Sequence, residues 1–371
     1  MKGDVLVIGG GIQGCATAYH LARQGASVIL LEKDYAGRHA SGVNAGGVRL
    51  LGRDMAEVPL SKASMEMWQT LDEELGHETG FRRQSVINIA ADLTDMTTLR
   101  AREERMQAAG FTHERILSRA ELLDRLPHVN PDCAGGAISE QDGYAIPYKS
   151  TSAFRLAAER HRAKVVEGEE LLSLRRVGPA WLAQGHKNRY EAETVVNCAG
   201  AWADHIALMI GDNVPLSHAA PMLMITARMP HFAAPVVGAV SRQLSFKQFK
   251  NGTVLIGGGA KGFADRANNR TRLDYAKLAS AARTTVEFFP IMRRASINRM
   301  WAGLEAYMPD NLPVIGPAAN ADRAFHAFGF SAHGFQMGPI VGQVMADLVL
   351  GGQSRFNLTP FRINRYDRKI L

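Results

Sequence analysis

The alternation of apolar and polar positions divides the chain into short strands and amphipathic helices. Asp4–Ile8 is an apolar, β-branched run of the kind found in a strand covered on both faces of a parallel sheet. Cys15–Gln24 places Ala16, Ala18, Leu21 and Ala22 toward one side of a helix, and Gly25 is suited to end it in a left-handed conformation. Ser27–Leu31 is a second apolar strand, closed by Glu32. Gln84–Ala90, Val195–Cys198, Leu312–Gly316 and Ala324–Gly329 read as further strands, the last two ending in glycine. Arg53–Gly80, Asp92–Gly110 and Arg272–Pro290 have apolar residues three and four apart and predict helices, and Gly338–Leu350 predicts an apolar one. Leu244–Lys250 and Thr253–Gly257 flank Asn251-Gly252, the strongest short hairpin signal.

The first strand runs directly into Gly9-Gly10-Gly11-Ile12-Gln13-Gly14. Strand, GxGxxG, helix, strand and acid follow in the order a dinucleotide site requires. Gly9 permits the tight turn, Gly11 lets the backbone approach a pyrophosphate, and Gly14 lets the helix pack close to the strand. The helix N-terminus offers free N–H groups and a positive dipole to the phosphates. Glu32 stands where a carboxylate accepts hydrogen bonds from a ribose diol, and its charge disfavours the extra phosphate of NADP. The motif does not separate FAD from NAD. Tyr35–Arg49 is long, polar and glycine-rich, so it can wrap a cofactor with backbone amides or lie free on the surface.

Composition narrows the class. A length of 371 residues favours two joined domains, and 46% apolar with 21% charged residues is ordinary for a globular protein. The net charge of +7 is spread along the chain, as in a solvated basic surface, and points to no nucleic-acid partner. The three cysteines, Cys15, Cys133 and Cys198, have no metal or disulfide spacing, so no metal is expected and a reducing, cytoplasmic location is favoured. Cys15 and Cys198 lie in apolar segments, as buried thiols would. No signal peptide and no transmembrane run are expected.

Four blocks together resemble the D-amino acid oxidase-like family of FAD enzymes. They are Gly9 to Lys33; Ala40-Ser41 through Asn44-Ala45-Gly46-Gly47; Glu193 through Asn197-Cys198-Ala199-Gly200-Ala201-Trp202; and Trp301-Ala302-Gly303-Leu304 through Met308-Pro309-Asp310-Asn311-Leu312-Pro313-Val314-Ile315-Gly316 to Phe328-Gly329-Phe330-Ser331-Ala332-His333-Gly334-Phe335-Gln336-Met337-Gly338-Pro339. The resemblance implies an α/β fold: a Rossmann-like FAD-binding domain of the glutathione-reductase type, with an α+β substrate domain on an antiparallel sheet. It places the FAD domain in residues 1–82, 144–215 and 302–371 and the substrate domain in 83–143 and 216–301. It implies a non-covalent FAD held by Gly9, Gly11, Ile12, Gln13, Gly14, Glu32, Lys33, Ala40, Ser41, Asn44, Ala45, Gly46 and Gly47. From the later blocks it adds Leu171, Ala199, Gly200, Trp202, Gly303, Gly329, His333, Gly334, Phe335 and Gln336. The helix at Gly338 is expected to direct its dipole at the flavin's pyrimidine end.

The implied reaction is oxidation of the C–N bond of an amino acid, secondary or D-configured, by hydride transfer to flavin N5, leaving an imine that water hydrolyses. An amino-acid carboxylate calls for an arginine, and Arg49, at the end of the wrapping loop, is the candidate; a surface arginine is the plain alternative. His333 is placed beside the flavin mainly through its backbone, with proton transfer as a further role. Lys261 either faces the flavin or sits in an exposed turn. Two departures stand out. Glu305 occupies a position where glycine oxidase-like members carry arginine, and Gln336 one where simple sarcosine oxidases carry lysine. Glu305 then meets either a cationic substrate group or a structural ion-pair partner. The resemblance is nearest to the flavin β-subunit of opine, hydroxyproline or proline dehydrogenases, which implies partner subunits and allows an FMN at an interface with one of them. A stand-alone oxidase making hydrogen peroxide and an FAD-holding subunit active only with its partner are the alternatives.

Overall fold

The computed structural model describes residues 1–366, so the end of the segment 302–371 lies outside the described residues. Strand β1 (Lys2–Ile8) pairs in parallel with β2 (Val28–Glu32), Ile8 opposite Leu31. On its other side β1 pairs in parallel with Arg189–Asn197, Ile8 opposite Asn197. That strand pairs in parallel with Ala324–Phe328, and Lys164–Glu167 adds to β2. The parallel core therefore draws strands from the start, the middle and the end of the chain. An antiparallel meander, Leu171–Val177 and Ala180–Gly185, and the strand Val314–Pro317 complete an eight-stranded sheet.

Both faces of this sheet are covered, which is why Val5–Ile8 and Val28–Leu31 are continuous apolar runs. Helix α1 (Ile12–Arg23) lies on one face, beneath helices Pro147–Arg160 and Gly334–Gly351. Its alanine-rich sequence suggests one buried side; instead every residue from Ile12 to Ala22 is buried, because sheet and helices enclose it. Close approach is made possible by Gly338 and Gly342, four apart on the C-terminal helix. A Cβ on Gly342 would lie 2.5 Å from the Cβ of Ala16, and one on Gly338 would lie 2.8 Å from Cγ1 of Ile12. Leu6, Ile8, Ile29 and Leu31 pack on the other face with Trp181, Ile206 and Ile210.

The second sheet has eleven strands and is antiparallel except where Val236–Ala239 runs parallel to Val86–Ala90. The expected hairpin is present: Ser245–Gln248 pairs with Val254–Gly257, and Gly252 turns the chain at φ +85°. Phe246 stacks on Phe289 at 4.7 Å in the core beneath it. Helices Leu93–Ala108 and Tyr275–Phe288 fall where predicted. The helix expected over Arg53–Gly80 covers only Val58–Leu75, since Gly76 stops it at φ +65° and the preceding residues form turns around Arg53. The C-terminal helix begins at Gly334, four residues before the expected start. Its first turn is anchored by Ser64 Oγ and Trp68 Nε1, which donate to the Gln336 carbonyl at 2.6 and 2.8 Å. Among the described residues no helix is long and apolar enough to cross a membrane.

Candidate cofactor and active site

A cavity of about 710 Å³ opens between the C-terminal ends of the parallel strands and the second sheet. Crevices at this end of an open α/β sheet are where such folds bind ligands. At one end Glu32, only 8% exposed, accepts hydrogen bonds from the N–H groups of Gly10 (2.7 Å) and Asp34 (2.8 Å). Burial pushes its carboxyl up, and the two N–H donors work against that shift. Lys33 sets its ammonium on the Trp202 ring, 3.2 Å from the centroid, and donates to Asn269. Leu171, Ala199 and Gly200 complete this end of the lining.

Next along the wall is the glycine turn. Gly9 takes φ +106°, and a Cβ there would strike the Cys198 carbonyl at 2.4 Å. A Cβ on Gly11 would lie 2.9 Å from Ser41 Oγ, the atom to which the Ile12 N–H donates at 2.9 Å. Gln13 donates to the Gly334 carbonyl at 2.8 Å, while its buried Oε1 has no partner among the described residues. The wrapping loop is not free: Ala40–Val43 forms a short helix and Gly47–Val48 a short strand. Asn44 caps that helix by donating to the carbonyls of Ala40 and Ser41 and accepts from Gly46 N–H at 2.7 Å. Trp301 Nε1 donates to the Val43 carbonyl at 2.8 Å, and a Cβ on Gly303 would lie 2.3 Å from Val43. The second and last blocks thus meet against one another.

Ala45, Gly46, Gly47 and Arg49 lead to the far end, where Gly303, Gly329, Gly334 and Phe335 line the wall. Ser331 and Ala332 both adopt left-handed backbone (φ +50° and +73°), which two successive side-chain-bearing residues hold only under constraint. The Ser331 N–H donates to the Ala306 carbonyl (3.2 Å) and the Ala332 N–H to Glu305 Oε1 (2.9 Å).

Arg49 lines the cavity and is fixed from behind, since its own loop is clamped by Asp142, which accepts from the N–H groups of Leu50 and Leu51. Burial lowers the pKa of Arg49, and Asp142 and Glu57 oppose that shift. A second arginine, which no sequence motif marks, stands behind it. Arg53 is 2% exposed, lines the same cavity, and donates to the Arg49 carbonyl (3.1 Å) and to Gln336 Oε1 (3.2 Å); its Nη1 has no partner among the described residues. Glu57, fully buried, accepts from His333 Nδ1 at 2.9 Å. Burial opposes ionisation of Glu57, but His333, Arg53 and Arg49 outweigh it and hold its carboxyl below the usual range. Burial, aided by Arg53, pushes His333 down. The consistent assignment is a neutral imidazole whose Nδ1–H donates to a Glu57 carboxylate.

Four of the expected site residues do not line the cavity. Gly14 is spent on packing, with its Cβ position 1.9 Å from the Gly9 carbonyl. His333 is turned to Glu57. Gln336 is fully buried, donating to the Ser61 carbonyl at 2.8 Å. Lys261 is exposed on the strand Lys261–Asp265, its ammonium 3.8 Å from the Tyr307 ring centroid. The buried lysine near the wrapping loop is Lys247, 4% exposed, which donates to the Ala45 carbonyl beneath the rings of Tyr144 and Phe249; burial pushes it down to about 7. Asn88, Glu305 and Tyr307 also line the cavity, and Glu305 has no ion-pair partner among the described residues. The residues fit an FAD: a carboxylate for ribose at one end, a helix N-terminus and glycine turn in the middle, an unpartnered Gln13 Oε1, and a glycine-lined far end. His39 also lines the cavity, its Nε2 3.0 Å from an Asp34 carboxylate oxygen.

A family model described as "FAD dependent oxidoreductase" (DAO) matches residues 4–348. An opine oxidase subunit of Rhizobium meliloti is 24% identical, the match covering 98% of this chain and 98% of that protein. Mitochondrial dimethylglycine dehydrogenase of Rattus norvegicus is 24% identical over 99% of this chain but only 45% of its own length, so the chain spans less than half of that relative. Among solved structures, L-proline dehydrogenase from P. horikoshii superposes with a TM-score of 0.92 at 26% identity, covering 99% of this chain and 98% of that one. Glycine oxidase from Geobacillus kaustophilus gives 0.91 at 24% identity, covering 98% and 99%.

Proposed function

Because the chain belongs to the DAO family of FAD-dependent oxidoreductases, we propose that it oxidises the C–N bond of an amino acid, secondary or D-configured, of the opine, hydroxyproline, proline or sarcosine type. The observation that carries this reading is the pair Arg49 and Arg53 in the lining of the cofactor cavity, with a buried guanidinium nitrogen of Arg53 unpaired among the described residues. A cation held in place and shielded from water is what a substrate carboxylate requires. FAD bound in the cavity supplies the two-electron acceptor. Residues 1–82, 144–215 and 302–371 hold the cofactor in this reading, and 83–143 and 216–301 cover it, a division supported by the membership of the two large sheets apart from Glu305–Tyr307, which joins the second.

Work as a flavin-bearing member of a heteromeric, cytoplasmic dehydrogenase is supported by the end-to-end match to an opine oxidase subunit and by three buried free cysteines. An FMN at the contact with a partner belongs to the same reading. Activity as a stand-alone oxidase is the second reading, supported by the likeness to glycine oxidase. The test is the visible spectrum of the purified chain, followed by anaerobic addition of D-amino acids, sarcosine, proline, hydroxyproline and opines. Bleaching of the flavin bands by one class names the substrate, and the speed at which colour returns in air separates oxidase from dehydrogenase. A colourless chain that cannot be loaded with FAD refutes the proposal.

A further inference from the structure

Opposite in character to Arg49 and Arg53, one of the carboxylates in the lining of the same cavity lies beside Ala332. Glu305 is the first residue of the strand Glu305–Tyr307, directly after Gly303-Leu304, and lines the cavity. Its Oε1 accepts from the Ala332 N–H at 2.9 Å and its Oε2 from the Tyr307 hydroxyl at 3.2 Å. Neither contact neutralises it. Among the described residues the charged or titratable groups that face it are the Tyr307 hydroxyl from its own strand and the Lys261 ammonium from the strand Lys261–Asp265, which like Glu305–Tyr307 pairs with Ser217–Thr226; that ammonium reaches only the Tyr307 ring. Across the sheet it opposes Ala219. A carboxylate in a cleft, with an acceptor lone pair left on each oxygen and no cation among the described residues bonded to it, is incomplete until a cation arrives.

We propose that Glu305 is the proton acceptor for the substrate's ammonium group. The inference rests on the amino-acid reading above. With the carboxylate held by the arginines, the substrate ammonium meets Glu305, one N–H proton passes to a carboxylate oxygen, and the N–H bonding pair stays on nitrogen as the lone pair that pushes out hydride from carbon. The transfer leaves a neutral amine and a neutral carboxylic acid, so no charge is created. Exclusion from water favours this direction, because desolvation raises a carboxyl's pKa and lowers an ammonium's. Burial does push Glu305 up, with the Ala332 N–H, Tyr307 and Lys261 acting the other way. Tyr307 orients Oε2, and Lys261 tunes Glu305 through its charge without touching it.

The competing role for Glu305 is purely positional, as the acceptor that pins the left-handed Ala332. The two differ in pH dependence. The experiment is anaerobic reduction of the FAD-loaded full chain by sarcosine, L-proline, glycine and iminodiacetate, followed by stopped-flow absorbance between pH 5 and 10. In wild type the second-order rate has an acid limb and then a plateau below the amine's own pKa. In Glu305→Gln it drops about 10²–10⁴-fold at neutral pH and then climbs tenfold per pH unit toward the amine's pKa, since only pre-neutralised amine reacts. Lys261→Gln, at an exposed site, moves the wild-type acid limb to higher pH. A wild-type rate that already climbs tenfold per unit across pH 6–9 overturns the proposal, and so does a Glu305→Gln profile of unchanged shape. Where Glu305→Gln does not load FAD, the wild-type and Lys261→Gln profiles decide alone. Failure of every amine to bleach the flavin removes the amino-acid reading and this inference with it, whereas bleaching without the acid limb removes only this inference.

Discussion

Adding a single methyl group to Gly342 tests whether the approach of the C-terminal helix to α1 builds the cofactor site. The new Cβ would stand 2.5 Å from Ala16 Cβ, 2.6 Å from Ala16 C and 2.9 Å from Ala16 O. Carbon atoms rest about 3.5–4.0 Å apart, so the helices must separate by about 1 Å or the contact stays strained. Two of the three clashing atoms are backbone, so no rotamer change relieves them. Overpacking of this kind costs about 1–3 kcal/mol. For 371 residues the unfolding entropy is about 0.8 kcal/mol per kelvin, which converts the cost into a fall in Tm of about 1–4 °C. Gly351, on the same helix, has nothing within 4 Å of its Cβ position. Gly351→Ala should therefore raise Tm by up to about 1 °C through helix propensity. Because Ile12 and Gln13 at the start of α1 line the cavity, Gly342→Ala should also weaken FAD binding, read by flavin fluorescence titration. Equal Tm values for the two variants, or a Gly342→Ala protein that melts with wild type, would refute the reasoning.

Glu32→Gln should weaken FAD about 10- to 100-fold in a fluorescence titration, the loss of about 1.5–3 kcal/mol for a hydrogen bond to a charged acceptor. Arg49→Met should raise KM about 30-fold or more for whichever amino acid reduces the flavin, with the flavin spectrum unchanged, since breaking a shielded charge pair costs about 2 kcal/mol or more. Glu114 should dominate acid unfolding near the site. Burial opposes its ionisation, but His113, a two-toothed contact from Arg102 (2.7 Å each) and the Gly52 N–H hold it down to about 2. A depressed carboxyl stabilises the fold above its ordinary 4.5, and that contribution disappears as pH falls toward 2. The gap is worth about 3 kcal/mol, so urea midpoints should drop steeply between pH 4.5 and 2 in wild type and more shallowly in Glu114→Gln.

What is legible in the sequence is local. The turn from Gly9 to Gly14, the strands on either side and Glu32 announce themselves because their chemistry is contained within one βαβ unit and needs no distant partner. The hairpin at Asn251-Gly252 is readable for the same reason. Lines of apolar residues are less informative about burial. Ala16 and Ala18 suggest a one-sided helix, yet the side of α1 away from its own strands β1 and β2 is covered by two helices more than a hundred residues away in sequence.

The polar part of the site is legible only where a backbone motif announces it. Arg53 falls within a predicted helix, and its burial depends on Gln336 and His333, some 280 residues later. Lys247 sits in Ser-Phe-Lys-Gln, where alternation would put either Phe246 or Lys247 outside. Both are buried, because the strand is covered on both faces and the lysine finds the Ala45 carbonyl and two aromatic rings. Lys261 errs in the opposite sense: a lysine just past Gly257-Gly258-Gly259-Ala260 looks poised over a ligand, but it is exposed and its ammonium rests on the Tyr307 ring without lining the cavity. Glu305 marks where the two kinds of information meet. Its departure from the arginine of related enzymes is visible in one dimension, whereas the absence of any ion-pair partner around it, among the described residues, is visible only in three. A recessed carboxylate that no protein cation completes points to the substrate as its partner, and this is why the acid, rather than the missing arginine, guides the choice of which amines to try first.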